Sequence, residues 1–266
     1  GRYPLLEPMS RLTGYLFAQK SVELCTRKKG KLCGLYENGM NRPSTMMIIG
    51  MGTIGQSAFK FAFQNKMNLI IVDKTPGTLN DRLNRRFGTE NRDYISDCGA
   101  KVIRFDNGCP EKTKNEMAQL LPETDIVLCC AVRRPDLPKI AMEYLITKEM
   151  VAVMKKGSVI ADATACDKDL IETCVSSELL DHYDDVDGII HYGCDHIPSY
   201  VGRTATELLT ARTFEYVKLM VRNGVIETIK SSDALRKGVM CAKGRLIHRY
   251  SAEKKSLPYV SIEEVL

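Results

Sequence analysis

The sequence predicts an α/β protein whose core is a doubly wound parallel sheet of the Rossmann type. Short apolar runs alternate with longer amphipathic stretches, which is typical of parallel strands joined by crossover helices. The run Met46-Met47-Ile48-Ile49 leads directly into Gly50-x-Gly52-x-x-Gly55 and then into an apolar helical stretch. A second apolar run, residues 69–72, ends in an acid, Asp73. Strand, glycine turn, helix, strand and acid in this order are typical of a dinucleotide-binding fold.

The remaining elements follow from the same periodicities. A helix is predicted near residues 8–19, followed by a Lys-, Gly- and Asn-rich connection over residues 27–44 that ends at Pro43-Ser44. After the glycine motif, a helix over residues 79–87 is closed by Gly88, since glycine commonly ends helices. Further strands are predicted at residues 101–105, 126–130, 158–161 and 189–192, and further helices at residues 112–121, 148–154 and 203–222.

Three segments are predicted: an entering helix and connection (1–44), a Rossmann domain (45–222) and a C-terminal segment (223–266). The last segment contains short pieces, at residues 225–229, 232–236 and 262–266, without an obvious core of their own. Ile262 and Val265 are therefore expected to be buried only against a partner domain or chain. On this interpretation the first and last segments belong to an incomplete second domain.

Composition narrows the function classes. Of 266 residues, 44% are hydrophobic and 27% charged, as in ordinary globular proteins, and the net charge of +5 is scattered rather than gathered into a nucleic-acid footprint. No apolar run approaches the roughly 18 residues that span a bilayer. Residues 1–20 lack the features of a signal peptide. We therefore expect a cytoplasmic chain that binds neither nucleic acid nor membrane.

The ten cysteines form no C-x-x-C pair. Several stand inside apolar runs, as Cys129 and Cys130 do. Free, buried thiols in a reducing compartment are therefore expected, and no metal site.

Each glycine of the motif has a separate structural role. Gly50 makes the tight turn, Gly52 lets the backbone approach a pyrophosphate, and Gly55 permits close helix–strand packing. Thr53 and Ile54 begin the helix whose N-terminal N–H groups point at the phosphates. The alternative is a glycine-rich turn without a ligand.

Asp73 is the candidate ribose ligand. It lies 18 residues after Gly55, near the expected spacing of about 20. A carboxylate there accepts the ribose hydroxyls and repels a 2′-phosphate, which favours NAD(H) over NADP(H). Lys74 follows directly and slightly weakens that preference.

The stretch from Leu145 to Asp162, LITKEMVAVMKKGSVIAD, closely resembles the segment after the fourth strand in alanine dehydrogenases and in the NAD-binding domain of proton-translocating transhydrogenase. The resemblance extends in order over nearly the whole chain. Its further stretches are Pro8 to Gly14, Val186 to Tyr192, Arg203 to Thr206, Lys243 to Arg245 and Leu257 to Val260.

This resemblance implies further site residues. Ala131 and Val132 match positions that line the nicotinamide side of the cleft, and Asp162 ends the next strand, where open α/β sheets bind ligands. Alanine dehydrogenases carry a catalytic aspartate a few residues beyond. Asp167 is the nearest match, offset by one residue, and Asp169 is the fallback. A loop or helix-capping carboxylate remains the alternative for Asp167.

The segment Cys194-Asp195-His196-Ile197-Pro198-Ser199 departs from alanine dehydrogenases, which usually have Asn where His196 stands. Its Asp-His-x-Pro-Ser motif resembles the corresponding sequence of saccharopine dehydrogenases. His196 is thus either a general acid or base, assisted by Asp195, or a hydrogen-bonded turn residue before Pro198. Arg203 either holds a substrate carboxylate or pairs with Asp195. The other histidines, His182, His191 and His248, are expected to be surface or structural residues.

Two functional hypotheses follow. The first is an NAD-dependent oxidoreductase acting on the CH–NH group of an amino acid or opine-like amino acid, with a homo-oligomeric state expected by analogy. The second is a non-catalytic dinucleotide- or partner-binding module. The motivation is an absence: the first half of the substrate domain of alanine dehydrogenases has no matching positions in this sequence. Transhydrogenase is a weaker third possibility. A missing domain, in the same or a separate chain, is the expected partner.

Overall fold

A central sheet organises the residues that the computed structural model describes, which are 4–37, 39–106, 108–131, 144–165 and 170–265. Within these ranges the sheet has seven strands. They are β1 (Thr45–Ile49), β2 (Asn68–Asp73), β3 (Lys101–Arg104), β4 (Ile126–Cys129), β5 (Val159–Asp162), β6 (Asp184–Val186) and β7 (Ile189–Tyr192).

The strand order is β3-β2-β1-β4-β5-β7-β6. All neighbours pair in parallel except β6, which runs antiparallel to β7. From β1 the chain builds outwards to β2 and β3 on one side and to β4 and β5 on the other. The strand order therefore reverses between β1 and β4, and ligands of open α/β sheets bind outside the carboxyl ends at such a point. The predicted Rossmann-type fold class is confirmed.

Helices join these strands. They are α1 (Leu6–Lys29), α2 (Thr53–Gln64), α3 (Leu79–Phe87), α4 (Tyr94–Asp97), α5 (Pro110–Leu120) and α6 (Lys148–Ala152). The bounds predicted for α3 are confirmed, and Gly88 ends it with φ +68°. The helix predicted near residues 8–19 is much longer, because Leu24 and Cys25 continue its buried face. The connection predicted from residue 27 begins only at Gly30.

Both faces of the sheet are covered, which explains the continuous apolar runs of its strands. Met46 and Ile48 belong to a core that also contains residues of α1 and α2, such as Phe17 and Ala58. The alternate residues of β1 belong to a second core together with Met117 of α5. The period of two along β1 thus divides one apolar run between two layers.

Ionic contacts fix α1 over long sequence distances. Lys20 donates to Glu23 at 3.1 Å and to Asp181 at 2.9 Å. Lys29 donates to Asp125 at 2.5 Å and to Ser158 at 2.9 Å. These bonds attach α1 to the segment before β6 and to the residues that precede β4 and β5.

The chain divides into two compact units, Gly1–Ala205 and Thr206–Leu266. The division falls within the long helix α7 (Gly202–Asn223). The boundaries predicted at 44/45 and 222/223 stay predictions.

The second unit contains most of α7 and a series of short elements. They are α8 (Val225–Ser231), α9 (Asp233–Gly238), a hairpin of β8 (Cys241–Ala242) and β9 (Arg245–Leu246), α10 (Arg249–Lys255) and a 3₁₀ turn (Ile262–Glu264). Ile247, Ala252 and Val265 are buried. The prediction that Val265 is buried only against a partner is therefore wrong, since it is 5% exposed within this chain.

Helix α7 is the least covered long element. None of its described residues is buried. Its exposed apolar side chains are Leu208, Leu209, Phe214, Val217, Leu219 and Val221. At about 3.6 residues per turn, Phe214, Val217 and Val221 share one face of the helix, and we refer to these three residues as the α7 apolar surface.

Among the described residues, no helix combines the length and the apolar composition needed to cross a bilayer.

Candidate dinucleotide and catalytic site

The glycine turn follows β1 and is held close to its neighbours. Gly50 has φ +87°, a conformation that side chains rarely adopt. A Cβ on Gly50 would lie 2.9 Å from Cβ of Ala131, so the turn passes directly against the segment after β4. A Cβ on Gly55 would lie 1.9 Å from the Gly50 carbonyl oxygen. These contacts fix the path of the turn and explain two of the three glycines.

Gly52 is different, because a Cβ there would meet nothing within 4 Å. It is the N-cap of α2, with φ −74° and no side-chain cap among the described residues. Gln56 N donates to its carbonyl at 3.0 Å, so the N–H groups of Thr53, Ile54 and Gly55 precede the first regular helical bond. Open space before unclaimed N–H groups at a helix N-terminus fits a pyrophosphate.

Asp73 ends β2 beside this turn and is 6% exposed. Its Oδ2 accepts a hydrogen bond from Met51 N at 2.9 Å. Its Oδ1 accepts bonds from the backbone N and the hydroxyl of Thr75, at 2.9 and 3.1 Å. Although burial acts to raise the pKa of Asp73, the Arg82 guanidinium and these backbone donors hold it below its ordinary value. The carboxylate is therefore ionised and fixed in position.

Arg82 of α3 completes the surroundings of Asp73. Its Nη2 lies 2.7 Å from Asp73 Oδ1 and 3.1 Å from the Thr75 carbonyl. Its Nη1 donates to the Met51 carbonyl at 3.0 Å. The guanidinium thus joins the second strand to the glycine turn. Lys74, also predicted for this site, is exposed.

The segments after β4 and β5 meet through a threonine. Thr164 N donates to Asp162 Oδ1 at 2.8 Å. The Thr164 hydroxyl lies 2.7 Å from that oxygen and 3.1 Å from the Ala131 carbonyl oxygen. Asp162 is 2% exposed. Thr164 therefore brings Ala131 and Asp162 together, and their predicted roles at the nicotinamide side of the cleft stay predictions. Val132, Asp167 and Asp169 lie outside the described residues.

The predicted Asp195–His196 pair lies beyond the carboxyl end of β7, along the same edge of the sheet as Asp162. His196 Nδ1 is 2.8 Å from Asp195 Oδ1, and both side chains are partly exposed. Asp195 N also donates to the Ser177 carbonyl at 3.2 Å, which anchors the segment. The carboxylate orients the imidazole and leaves Nε2 available for proton transfer. Arg203, in the first turn of α7, is exposed.

Sequence reasoning missed three supporting residues. A Cβ on Gly14 of α1 would lie 2.0 Å from the Ile54 carbonyl oxygen, so Gly14 lets α1 approach the start of α2. Arg82 and Thr164 were the other two. Their signals were an arginine nine residues after the ribose acid and a hydroxyl two residues after Asp162. In the described part of the chain, no group of three or more His, Cys, Asp or Glu residues is suited to a metal ion.

Comparison with known proteins identifies the family. The model of the family "Alanine dehydrogenase/PNT, C-terminal domain" matches residues 20–249. The chain belongs to this family. Relatives include the alanine dehydrogenases of Bacillus subtilis (strain 168) and Staphylococcus haemolyticus (strain JCSC1435), each 28% identical over 99% of this chain. The chain spans 65% of the length of both relatives.

Solved structures of the family agree on the fold. An L-alanine dehydrogenase superposes with a TM-score of 0.74 at 24% identity, covering 95% of this chain and 64% of that one. A transhydrogenase from Sinorhizobium meliloti gives 0.66 at 18% identity, covering 87% and 60%. Membership in the alanine dehydrogenase/PNT family implies a nicotinamide dinucleotide as cofactor, and the open, N–H-lined start of α2 fits that group.

Proposed function

We propose that this chain is the cofactor-binding part of an NAD-dependent oxidoreductase that acts on the CH–NH group of an amino acid or an opine-like amino acid. The observation that carries the proposal is the open helix start at Gly52 beside the buried, ionised Asp73. The names of the relatives, both alanine dehydrogenases, support the substrate class.

The proposed site has two halves. In the adenosine half, Gly50, Gly52 and Gly55 with the N–H groups of Thr53 and Ile54 receive the pyrophosphate, and Asp73 accepts the ribose hydroxyls. The negative charge of Asp73 favours NAD(H), whose ribose carries no 2′-phosphate.

In the nicotinamide half, Ala131 and Asp162 line the cleft, and Thr164 holds their segments together. A bound nicotinamide supplies the carbon that exchanges a hydride. His196, oriented by Asp195, moves the proton at the substrate nitrogen or at a water molecule. Arg203 holds the substrate carboxylate, and Asp167 positions the attacking water or amine.

The adenosine half is tested by calorimetry with NADH on the natural chain and on two variants of Gly52. Gly52 has open space and an ordinary φ, so Gly52→Asn and Gly52→Asp are both compatible with the N-cap position, where Asn and Asp are equally favoured. The two side chains have nearly the same size but differ in charge. We expect G52D to bind NADH at least about tenfold more weakly than G52N, since it brings a carboxylate to the pyrophosphate. Equal NADH affinities of the two variants would show that the pyrophosphate does not bind at this turn.

Turnover tests the chemistry. NADH formation is measured with a panel of amino acids, using the natural full-length protein. Activity on one of them supports the proposal. NADH binding without turnover on any of them favours the second candidate, a non-catalytic dinucleotide-binding module.

The α7 apolar surface supports a partner in either case, because 79% exposure of Val221 and 52% of Phe214 is high for apolar side chains. We propose that the domain which the longer relatives carry, in this or another chain, covers it, and that the protein forms a homo-oligomer. Sedimentation of the natural protein and of Val221→Glu tests this. An unchanged assembly in the variant would exclude the surface as an interface between chains.

A further inference from the structure

We infer that Arg82 makes the adenosine half tolerant of a 2′-phosphate, so that the chain binds NADP(H) as a second cofactor with an affinity within about tenfold of that for NAD(H). This inference rests on the proposed function, because it assumes that a nicotinamide dinucleotide binds beside Asp73. The sequence alone, with an acid at the ribose position, predicts discrimination against NADP(H).

The first argument is the position of the guanidinium. Arg82 reaches across from α3 so that Nη2 is 2.7 Å from Asp73 Oδ1 and Nη1 is 3.0 Å from the Met51 carbonyl. It therefore lies between the ribose acid and the glycine turn, where the adenosine ribose is expected. A guanidinium presents N–H donors in a fork that matches the oxygen atoms of a phosphate.

The second argument is the hydrogen-bond capacity of Asp73. A carboxylate offers about four acceptor positions. In this chain they receive Met51 N, Thr75 N, the Thr75 hydroxyl and Arg82 Nη2. Three of these donors lie on Oδ1, whereas Oδ2 receives Met51 N alone. A ribose hydroxyl can therefore bond to the second acceptor position of Oδ2 while Arg82 stays on Oδ1. The Arg82 side chain, which is 23% exposed, thus remains as a cation beside the ribose.

The third argument is the local charge. Asp73 is buried, so that a nearby cation offsets its repulsion of a phosphate more effectively than water does. Arg82 supplies that cation in direct contact. Lys74 follows Asp73 in sequence, and Arg104 is its register partner on β3; both are exposed. Arg82 is thus the cation in direct contact with Asp73, and this contact offsets the repulsion of an additional anionic group.

Binding of matched ligand pairs tests the inference. NADH and NADPH are compared by calorimetry, and AMP and 2′,5′-ADP are compared in the same way, since each pair differs only by the 2′-phosphate. We expect the Kd values within each pair to differ by less than about tenfold in the natural chain. A preference of about a hundredfold or more for the ligands without the 2′-phosphate would overturn the inference.

Variants then assign the effect to Arg82. Arg82→Gln is expected to weaken NADPH and 2′,5′-ADP at least about tenfold more than NADH and AMP, whereas Arg82→Lys, which keeps the charge, retains most of the tolerance. Arg85→Gln is the matched control, because Arg85 is an exposed arginine of the same helix. Equal losses for both ligands of a pair in R82Q would reject the role of Arg82. If R82Q does not fold, the ratios of the two Kd values within each ligand pair, measured on the natural chain and on R82K, still test the inference. Failure of all four ligands to bind the natural chain would instead reject the proposed function.

Discussion

The adenosine half of the proposed site comes from one continuous stretch, residues 50–82, whereas the nicotinamide half is assembled from the segments that follow β4, β5 and β7. The first half depends on backbone geometry: glycines without space for a Cβ, a helix N-terminus and one carboxylate with fixed donors. The second depends on side chains, such as Thr164 and His196, that distant segments bring to one sheet edge. Cofactor affinity and chemistry should therefore respond to separate substitutions.

The largest separation is expected at His196. His196→Gln removes the proton-transferring group, so turnover of the full-length protein should fall by roughly 10²–10⁴. NADH affinity should change little, since the pair with Asp195 lies in the other half. A large change in NADH affinity, measured by calorimetry, would show that the two halves are not separate.

Gly55 tests the backbone of the adenosine half. In Gly55→Ala the new Cβ would approach the Gly50 carbonyl oxygen to 1.9 Å, and both are main-chain positions that cannot move independently. We expect the free energy of unfolding to fall by about 3 kcal/mol and NADH affinity to fall with it. Gly52→Ala, at the open N-cap position, is the control and should cost at most about 1 kcal/mol, since alanine is a poorer N-cap than glycine. Similar denaturant midpoints for the two variants would contradict this account.

Asp73→Asn should have an intermediate effect. The change removes the charge while keeping the shape, and NADH affinity is expected to fall about tenfold, equivalent to about 1.4 kcal/mol. Because the pKa of Asp73 is held below its ordinary value of 3.8, the carboxylate stays charged throughout the weakly acidic range. Its contribution to stability is present above that value and is lost as pH falls through the lowered pKa. NADH affinity of the natural chain should therefore lose none of the Asp73 contribution between pH 8 and 5. A loss in that range that is absent from D73N would contradict the assigned ionisation.

The smallest effect is expected outside both halves, at His191 of β7. Its Nδ1 donates to the Ile189 carbonyl at 3.1 Å and its Nε2 lies 2.7 Å from the Thr173 hydroxyl. Burial disfavours the imidazolium and lowers the pKa of His191 below 6.5. The unfolded chain is then protonated first, so stability should fall as pH drops below about 6.5 towards the lowered pKa. His191→Gln should flatten this part of the profile, as measured by urea unfolding. Parallel pH profiles of stability for the natural chain and the variant would show that His191 does not cause this dependence.

The contrast between the halves also explains what the sequence predicted. The fold class and the glycine turn follow from local patterns: apolar runs, glycine spacing and an acid at a strand end. Arg82 and Thr164 could not be assigned from such patterns, because their roles depend on where α3 and the segment after β5 direct their side chains.

The end of α1 shows the same limit. Its helical period continued past residue 19, but the Lys-rich sequence 27–31 looked like a connection. Lys29 belongs to the helix because Asp125 and Ser158 bind it, and those residues are about a hundred positions away. Pairings at that distance are set by the tertiary fold rather than by local composition.

The attachment of α1 also affects the order in which the first unit forms on the ribosome. Lys20 and its acceptor Asp181 are separated by 161 positions, so this ion pair closes only after the residues between them have been synthesised. At about 5–20 residues per second, the lysine waits on the order of ten seconds or longer for its acceptor. Synonymous codon changes that slow elongation between these two residues would prolong the state in which Lys20 lacks this acceptor. Refolding from urea, in which both ends are present at once, should avoid the delay.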